Sequence, residues 1–236
     1  MRAERLLEIL SDQPIIAAVK NNEEFQRALQ SDVGVIFLLY GNILTVSQLT
    51  AQVHDCGKLV FVHLDMIEGL ASKEVAADFI AGNTVADGVI STKAALTRRA
   101  RELGLVGIQR FFLLDSKAML SVQQFSPSSA DLVEVLPGLM PKIITRVAQR
   151  TRRPVIAGGL IQDKEDVITA LSAGAVAVST TNPDVWEMER GHSTKNAQAA
   201  LRGERPGLFY GECRRELSLG STQQCWPRSW WSSAVR

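Results

Sequence analysis

Eight short apolar runs recur along this chain, and their regular spacing limits the possible folds more than any other feature. The runs start about 20 to 29 residues apart and cover Ile15–Val19, Val35–Leu39, Leu59–Leu64, Gly88–Ile90, Arg110–Leu114, Leu132–Leu136, Val155–Ala157 and Val176–Val178. Most are apolar on both faces, as parallel strands are when helices cover a sheet. Helical patterns lie between them, so each interval fits one strand and one helix. We expect an α/β fold, a small (β/α)8 TIM-type barrel, with a doubly wound open sheet as the alternative.

The regular spacing of apolar runs ends near residue 188, and this change divides the chain into two parts. We expect residues 1–188 to form the barrel as a ligand-binding domain. Residues 189–236 show no strong period, although they hold three of the four tryptophans. Apolar bulk without periodicity does not indicate a defined element. The prediction is an irregular tail, disordered or non-native, with an ordinary eighth helix and an extension as the alternative.

Composition narrows the class of protein. The chain has 236 residues, 46% of them hydrophobic, which is enough for one core. No apolar run reaches the ~18 residues of a membrane span, and the first residues lack a signal-peptide core. Three cysteines show neither metal spacing nor a disulfide framework. We expect a cytoplasmic protein with no membrane contact, no metal and no cofactor.

Charge is distributed unevenly along the chain. The net charge of +1 combines +4 in residues 189–236 with −3 in residues 1–188. The predicted barrel therefore lacks the overall basic charge of a typical nucleic-acid binder.

Small and hydroxyl-bearing residues follow the last two predicted strands. Gly158 and Gly159 end one apolar run, while Ser179 and Thr180 end the next, with Asn182 close behind. Such residues leave backbone N–H groups free to surround an anion. In a (β/α)8 barrel, the exits of the last two strands are the usual phosphate site. We therefore expect the chain to bind a phosphorylated small molecule.

Charged side chains also stand at predicted strand ends. Lys20 ends strand one and Lys93 follows strand four, where lysine suits a phosphate or, when desolvated, a Schiff base. A solvated lysine that opens the next helix is the alternative for Lys93. Alternation along strand three places Phe61, His63 and Asp65 on one face, which predicts that His63 and Asp65 point into the barrel mouth. A histidine satisfied within the core is the alternative for His63.

Two carboxylates have open interpretations. Glu134 lies within the apolar run Leu132–Leu136. An unpaired buried carboxylate costs several kcal/mol, so Glu134 needs a partner, for which Lys20 and Arg110 are the candidates. It is either a contact to a ligand hydroxyl or half of a structural ion pair. Asp115, after strand five, either binds a hydroxyl or caps the next helix.

One predicted helix carries a basic flank. Lys142, Arg146, Arg150 and Arg153 recur at about helical spacing. This flank is either a solvated helix face or a contact to RNA phosphates. No aromatic RNA-recognition motif is visible. No nucleophile, base and orienting group can be assigned as a catalytic set, yet acidic, basic and imidazole groups at the mouth leave catalysis open.

Motifs at the strand ends resemble a known family. The segments are PIIAAVKN, FLLYGNI, VHLDMIEGL, ADGVIST, RFFLLDS, VEVLPG, IAGGLI and AVSTTN. In this order they resemble the glycerol-uptake operon antiterminator regulators (GlpP family), over about residues 10 to 188. The resemblance implies a small (β/α)8 barrel that binds glycerol 3-phosphate as effector. It also implies action on the leader mRNA of a glycerol operon, which prevents premature transcription termination.

The resemblance assigns expected roles to residues of this chain. The phosphate would lie at Gly158, Gly159, Ser179 and Thr180, with Asn182 closing the rim. The mouth would be lined by four charged residues: Lys20, Asp65, Lys93 and Glu134. No catalytic residue is expected, the partners are the effector and the leader mRNA, and self-association is possible.

Two rival functions stay open on the sequence alone. One is a phosphosugar-processing barrel enzyme, an isomerase or aldolase, in which Lys20 or Lys93 acts on the substrate. The other is a degenerate barrel that binds only a protein partner.

Overall fold

The computed structural model describes residues 2–188 and shows a closed barrel of eight parallel strands. The strands are β1 (Ile15–Val19), β2 (Val35–Leu38), β3 (Leu59–His63), β4 (Gly88–Ser91), β5 (Val106–Phe112), β6 (Leu132–Leu136), β7 (Val155–Gly158) and β8 (Ala175–Thr180). Each strand pairs with the next in the chain, and β1 pairs with β8. This confirms the predicted (β/α)8 barrel and excludes the open sheet. The predicted tail, residues 189–236, lies outside the described residues.

Helices alternate with the strands. They are α1 (Arg2–Asp12), α2 (Asn22–Gln30), α3 (Val46–Asp55), α4 (Val75–Asn83), α5 (Ala94–Glu102), α6 (Ser116–Gln123), α7 (Pro141–Thr151), α8 (Lys164–Ser172) and α9 (Pro183–Trp186). The first turn of a helix leaves backbone N–H groups without partners, and in several of these helices a side chain just before the first turn accepts a hydrogen bond from one of them. Asp115 accepts a hydrogen bond from the Ala118 N–H at 2.7 Å, so the helix-cap interpretation of Asp115 is confirmed. No helix in the described part of the chain is both long and apolar enough to cross a bilayer.

Buried apolar side chains form two layers. An outer layer lies between the strands and the helices that surround them. An inner layer fills the barrel with one set of alternating strand residues, among them Phe37 and Phe61, whose rings meet edge to face at 5.7 Å. Leu6 and Leu10 of α1 are buried against this inner layer. Because α1 precedes β1, it closes the end of the barrel where the strands begin.

The start of β5 and the end of β3 are the differences from the predicted strand boundaries that matter most for the site. β5 starts at Val106, four residues before the predicted start at Arg110, because Gly107 and Gln109 interrupt the apolar pattern. β3 ends at His63, and the chain then turns into a short 3-10 helix, Leu64–Met66. Strand alternation therefore stops before Asp65, and the prediction that Asp65 shares the inward face of Phe61 and His63 is wrong.

Candidate functional site

The end of β7 carries two glycines at positions where another residue would clash or be strained. A Cβ atom on Gly158 would lie 2.6 Å from Ser179 Oγ and 2.7 Å from Glu134 Oε1. Real Cβ atoms do not approach this closely, so a side chain here would displace two buried groups. Gly159 has φ of +74°, a left-handed conformation that glycine adopts without steric cost. Both glycines singled out in the sequence thus have a structural reason to be glycine.

Leu160 shares this left-handed conformation and had no signal in the sequence. Its φ is +64°, and its side chain is 61% exposed. A non-glycine residue in this region costs roughly 1–2 kcal/mol. Such strain concentrates at binding and catalytic sites, where the surrounding structure holds it in place. Leucine does not favour this conformation, so sequence patterns alone could not have marked the position.

Backbone N–H groups are available at the exits of β7 and β8. Within residues 2–188, the N–H groups of Leu160, Ile161 and Thr181 have no hydrogen-bond partner. The Gly159 N–H reaches Ser179 O at a long 3.4 Å. Successive N–H groups of this kind form a concavity that suits an anion. The two exit turns therefore present donors where the sequence predicts a phosphate.

The hydroxyl groups at these exits hold the turns together. Ser179 Oγ donates to Glu134 Oε1 at 2.6 Å. Thr180 Oγ1 donates to Ile161 O at 2.8 Å and accepts from the Asn182 N–H at 3.1 Å. Asn182 Nδ2 donates to Gln162 O at 2.9 Å. These contacts join the β7 turn to the β8 turn, and direct contact of these side chains with a ligand stays a prediction.

A buried ion pair lies beneath the β7 and β8 turns. Glu134 Oε2 accepts from Arg110 Nε at 2.6 Å, with Glu134 fully buried and Arg110 6% exposed. Of the two partners predicted for Glu134, Arg110 is confirmed, and no contact to Lys20 occurs in the described part of the chain. The guanidinium therefore belongs to the mouth, although the expected ligand set omitted it.

His63 belongs to the same buried layer. It is 3% exposed, and its Nδ1 has no hydrogen-bond partner within residues 2–188. Asp65 Oδ2 lies 3.9 Å from this nitrogen, beyond hydrogen-bond distance. Burial is the main cause that lowers the pKa of His63, the positive charge of Arg110 adds to it, and the resulting pKa is about 4. The imidazole is therefore neutral at pH 7, and its contact with a ligand stays a prediction.

Asp65 holds the turn after β4. Its carboxylate accepts from Ser91 Oγ at 3.0 Å, and from the Thr92 N–H at 2.8 Å and Thr92 Oγ1 at 3.1 Å. The side chain is 19% exposed. Lys20 and Lys93 are exposed at the ends of β1 and β4. The structure thus places all three at the mouth, and their contact with a ligand stays a prediction.

The predicted basic flank lies along α7, with Arg153 just after the helix, and it divides into two pairs. Arg150 donates to Gln123 O and Arg153 donates to Pro127 O, so both hold the segment between α6 and β6. Lys142 and Arg146 are exposed, and their side chains have no partner among residues 2–188. The second pair is therefore the more available to an outside partner.

Metal ligands are not grouped in this region. Among the described residues, no three His, Cys, Asp or Glu side chains lie close enough together to hold a metal ion.

Comparison with known proteins identifies the family. A family model described as glycerol-3-phosphate responsive antiterminator matches residues 15–186, which include all eight strands. The uncharacterized protein YgcP of Escherichia coli (strain K12) is 44% identical over 186 residues, which cover 78% of this chain and 97% of that protein.

Two solved structures agree with this match. The glycerol uptake operon antiterminator regulatory protein from Listeria monocytogenes str. 4b F2365 is 32% identical, with a TM-score of 0.71 over 75% of this chain and 97% of the other. A glycerol uptake operon antiterminator-related protein from Thermotoga maritima MSB8 is 34% identical, with a TM-score of 0.64 over 74% and 98%. The family is one of regulators, which decides against the isomerase or aldolase alternative. The resemblance at the strand ends is confirmed: the chain belongs to the family of glycerol-3-phosphate responsive antiterminators.

Proposed function

We propose that this chain binds glycerol 3-phosphate at the barrel mouth and, in response, binds the leader mRNA of a glycerol-metabolism operon in the cytoplasm to prevent premature termination. The observation that carries the proposal is the set of unpartnered backbone N–H groups at the exits of β7 and β8, in a chain whose family responds to this effector.

In this proposal, the phosphate of the effector binds at the exits of β7 and β8. The N–H groups of Leu160, Ile161 and Thr181 supply donors. Glycine at position 158 leaves the space in which Ser179 bonds Glu134, a contact that holds the β8 turn. Lys20 and Lys93, exposed on the same rim, add positive charge that attracts a dianion. The hydroxyls of Ser179 and Thr180 act by holding the turns that present these donors.

The RNA is placed on α7. Lys142 and Arg146 lie four residues apart on one helix face and have no partner in the described part of the chain. Arg150 and Arg153 add charge to the same flank, while their bonds to the α6–β6 segment hold that surface in position. Contacts from lysine and arginine to phosphate release counterions, so this interaction should weaken steeply with salt.

Effector and RNA must favour the same conformation for the response to occur. A ligand shifts an equilibrium only by its difference in affinity for the two states. Glu134 offers a physical link, because it lies on β6, which leads into α7, and accepts a hydrogen bond from Ser179 on β8. A change in the β8 turn on phosphate binding would therefore reach the strand that precedes the basic helix.

Single-round transcription through a glycerol-operon leader terminator tests the proposal. We expect readthrough to rise when both the protein and glycerol 3-phosphate are present. The double variant Lys142→Glu, Arg146→Glu should abolish this rise while still binding the effector. The matched control is Glu165→Lys, a charge change at an exposed position on the neighbouring helix α8, which should leave readthrough unchanged. Readthrough that does not depend on glycerol 3-phosphate contradicts the proposal.

A further inference from the structure

Arg110 has most of its hydrogen-bonding capacity unused. A guanidinium carries five N–H donors, and within residues 2–188 only Nε has a partner, Glu134 Oε2. The residue is nevertheless only 6% exposed. Its two Nη atoms are not fully buried, so these donors face accessible space at the mouth. The two Nη groups of Arg110 are therefore candidates for contact with a ligand.

His63 is the second buried group without a partner in the same layer. It follows Phe61 on the inward face of β3, just as Arg110 follows Ile108 on the inward face of β5. Phe61 and Ile108 belong to the apolar filling of the barrel, so His63 and Arg110 lie in the first polar layer above it, together with Glu134 and Ser179. We call His63 and Arg110 the polar floor of the mouth.

The polar floor lies directly beneath the phosphate turns. Glu134 bonds Arg110 through Oε2 and Ser179 through Oε1, which holds the guanidinium in one orientation. The same Oε1 atom would lie 2.7 Å from a Cβ placed on Gly158. When the phosphate of a small ligand lies at the β7 and β8 exits, the rest of that ligand can therefore reach the polar floor.

The chemistry of the floor suits a hydroxyl group. Arginine only donates hydrogen bonds, whereas a neutral imidazole has one nitrogen that donates and one that accepts. A hydroxyl both donates and accepts, so it can satisfy an Nη group and an imidazole nitrogen together. An alkyl group in this place would leave both unsatisfied.

We propose that Arg110 and His63 bind the hydroxyl-bearing end of the effector and so select a polyol phosphate over a simple alkyl phosphate. This inference rests on the proposed function, because it requires the phosphate to lie at the β7 and β8 exits. It adds two specificity-determining residues to the mouth and gives the buried Glu134 a role in positioning Arg110.

Calorimetric titration with two ligands tests the inference. Glycerol 3-phosphate is compared with methyl phosphate, which is a phosphate monoester without hydroxyl groups. We expect the wild-type protein to prefer glycerol 3-phosphate by about tenfold or more, the effect of one or two hydrogen bonds. His63→Leu and Arg110→Lys should each lose about tenfold in affinity for glycerol 3-phosphate and keep their affinity for methyl phosphate.

Ile90→Val is the matched control, since Ile90 is a buried inner-layer residue outside the polar floor. It should keep the wild-type preference. Because each variant's preference is measured on the same folded protein, a loss of stability alone does not mimic the result. If both floor variants keep the wild-type preference, or the wild type binds the two esters equally, the inference is overturned while the phosphate site stands. If the wild type binds neither ester, the proposed function fails and this inference fails with it.

Discussion

The ion pair between Arg110 and Glu134 allows a quantitative test of the barrel interior. In Arg110→Met, Glu134 keeps its fully buried position and loses its cationic partner. Removing one partner of a buried pair costs about 3–5 kcal/mol, because an uncompensated charge stays in the interior. We expect the free energy of unfolding, from urea titration at pH 7, to fall by that amount.

The double variant Arg110→Met, Glu134→Leu should recover most of this loss. An apolar pair of similar volume is often as stable as a buried ion pair. Ser179 loses its acceptor in the double variant, which costs about 1 kcal/mol. We therefore expect the double variant within about 2 kcal/mol of the wild type. Ile144→Val, in the outer layer, is the control, and its effect on the free energy of unfolding should add to that of either Arg110→Met or Glu134→Leu. A cost below about 1 kcal/mol for Arg110→Met, or simple additivity of the two substitutions, would refute this reasoning.

Three further predictions concern the mouth. Gly158→Ala should lower the free energy of unfolding by about 1–3 kcal/mol, because its Cβ would meet Ser179 and Glu134; a neutral effect in urea titration would contradict the close approach. His63 has its pKa lowered from 6.5 to about 4, so the unfolded state binds the proton first and stability is lost as pH falls through that window. Between pH 7 and pH 4 the wild type should lose about 3 kcal/mol more than His63→Leu, and parallel pH profiles would show that His63 does not titrate this way. Leu160→Gly should leave stability unchanged or raise it by about 0.5 kcal/mol, since left-handed strain is relieved at an exposed position; a loss above about 1 kcal/mol would count against strain at this turn.

The barrel could be predicted from the sequence because its strands are apolar on both faces and evenly spaced. Most strand boundaries agree with the predicted ones to within a residue or two. The start of β5 was the exception, because Gly107 and Gln109 interrupt the apolar pattern of its first half. Gln109 is buried in the structure and accepts a hydrogen bond from Ser129 at 3.1 Å. A partner that is twenty residues away in the chain leaves no local signal.

Parts of the candidate site could be predicted where the type of residue in a strand dictates what it must contact. Glu134 could be recognised as a paired group because a lone carboxylate in an apolar run is too costly. The sequence could not choose between Lys20 and Arg110, since that choice depends on the register of β5 against β6, where Arg110 lies opposite Glu134. Asp65 was misplaced because nothing in the sequence shows that β3 stops at His63.

An RNA mobility shift with a glycerol-operon leader, with and without glycerol 3-phosphate, tests most directly whether this barrel couples effector and RNA. We expect the effector to tighten binding of the wild-type protein by about tenfold or more, a coupling of about 1.4 kcal/mol. We also expect Lys142→Glu, Arg146→Glu to remove the shift under both conditions. Equal binding of the leader with and without glycerol 3-phosphate would show that this barrel does not couple its effector to RNA.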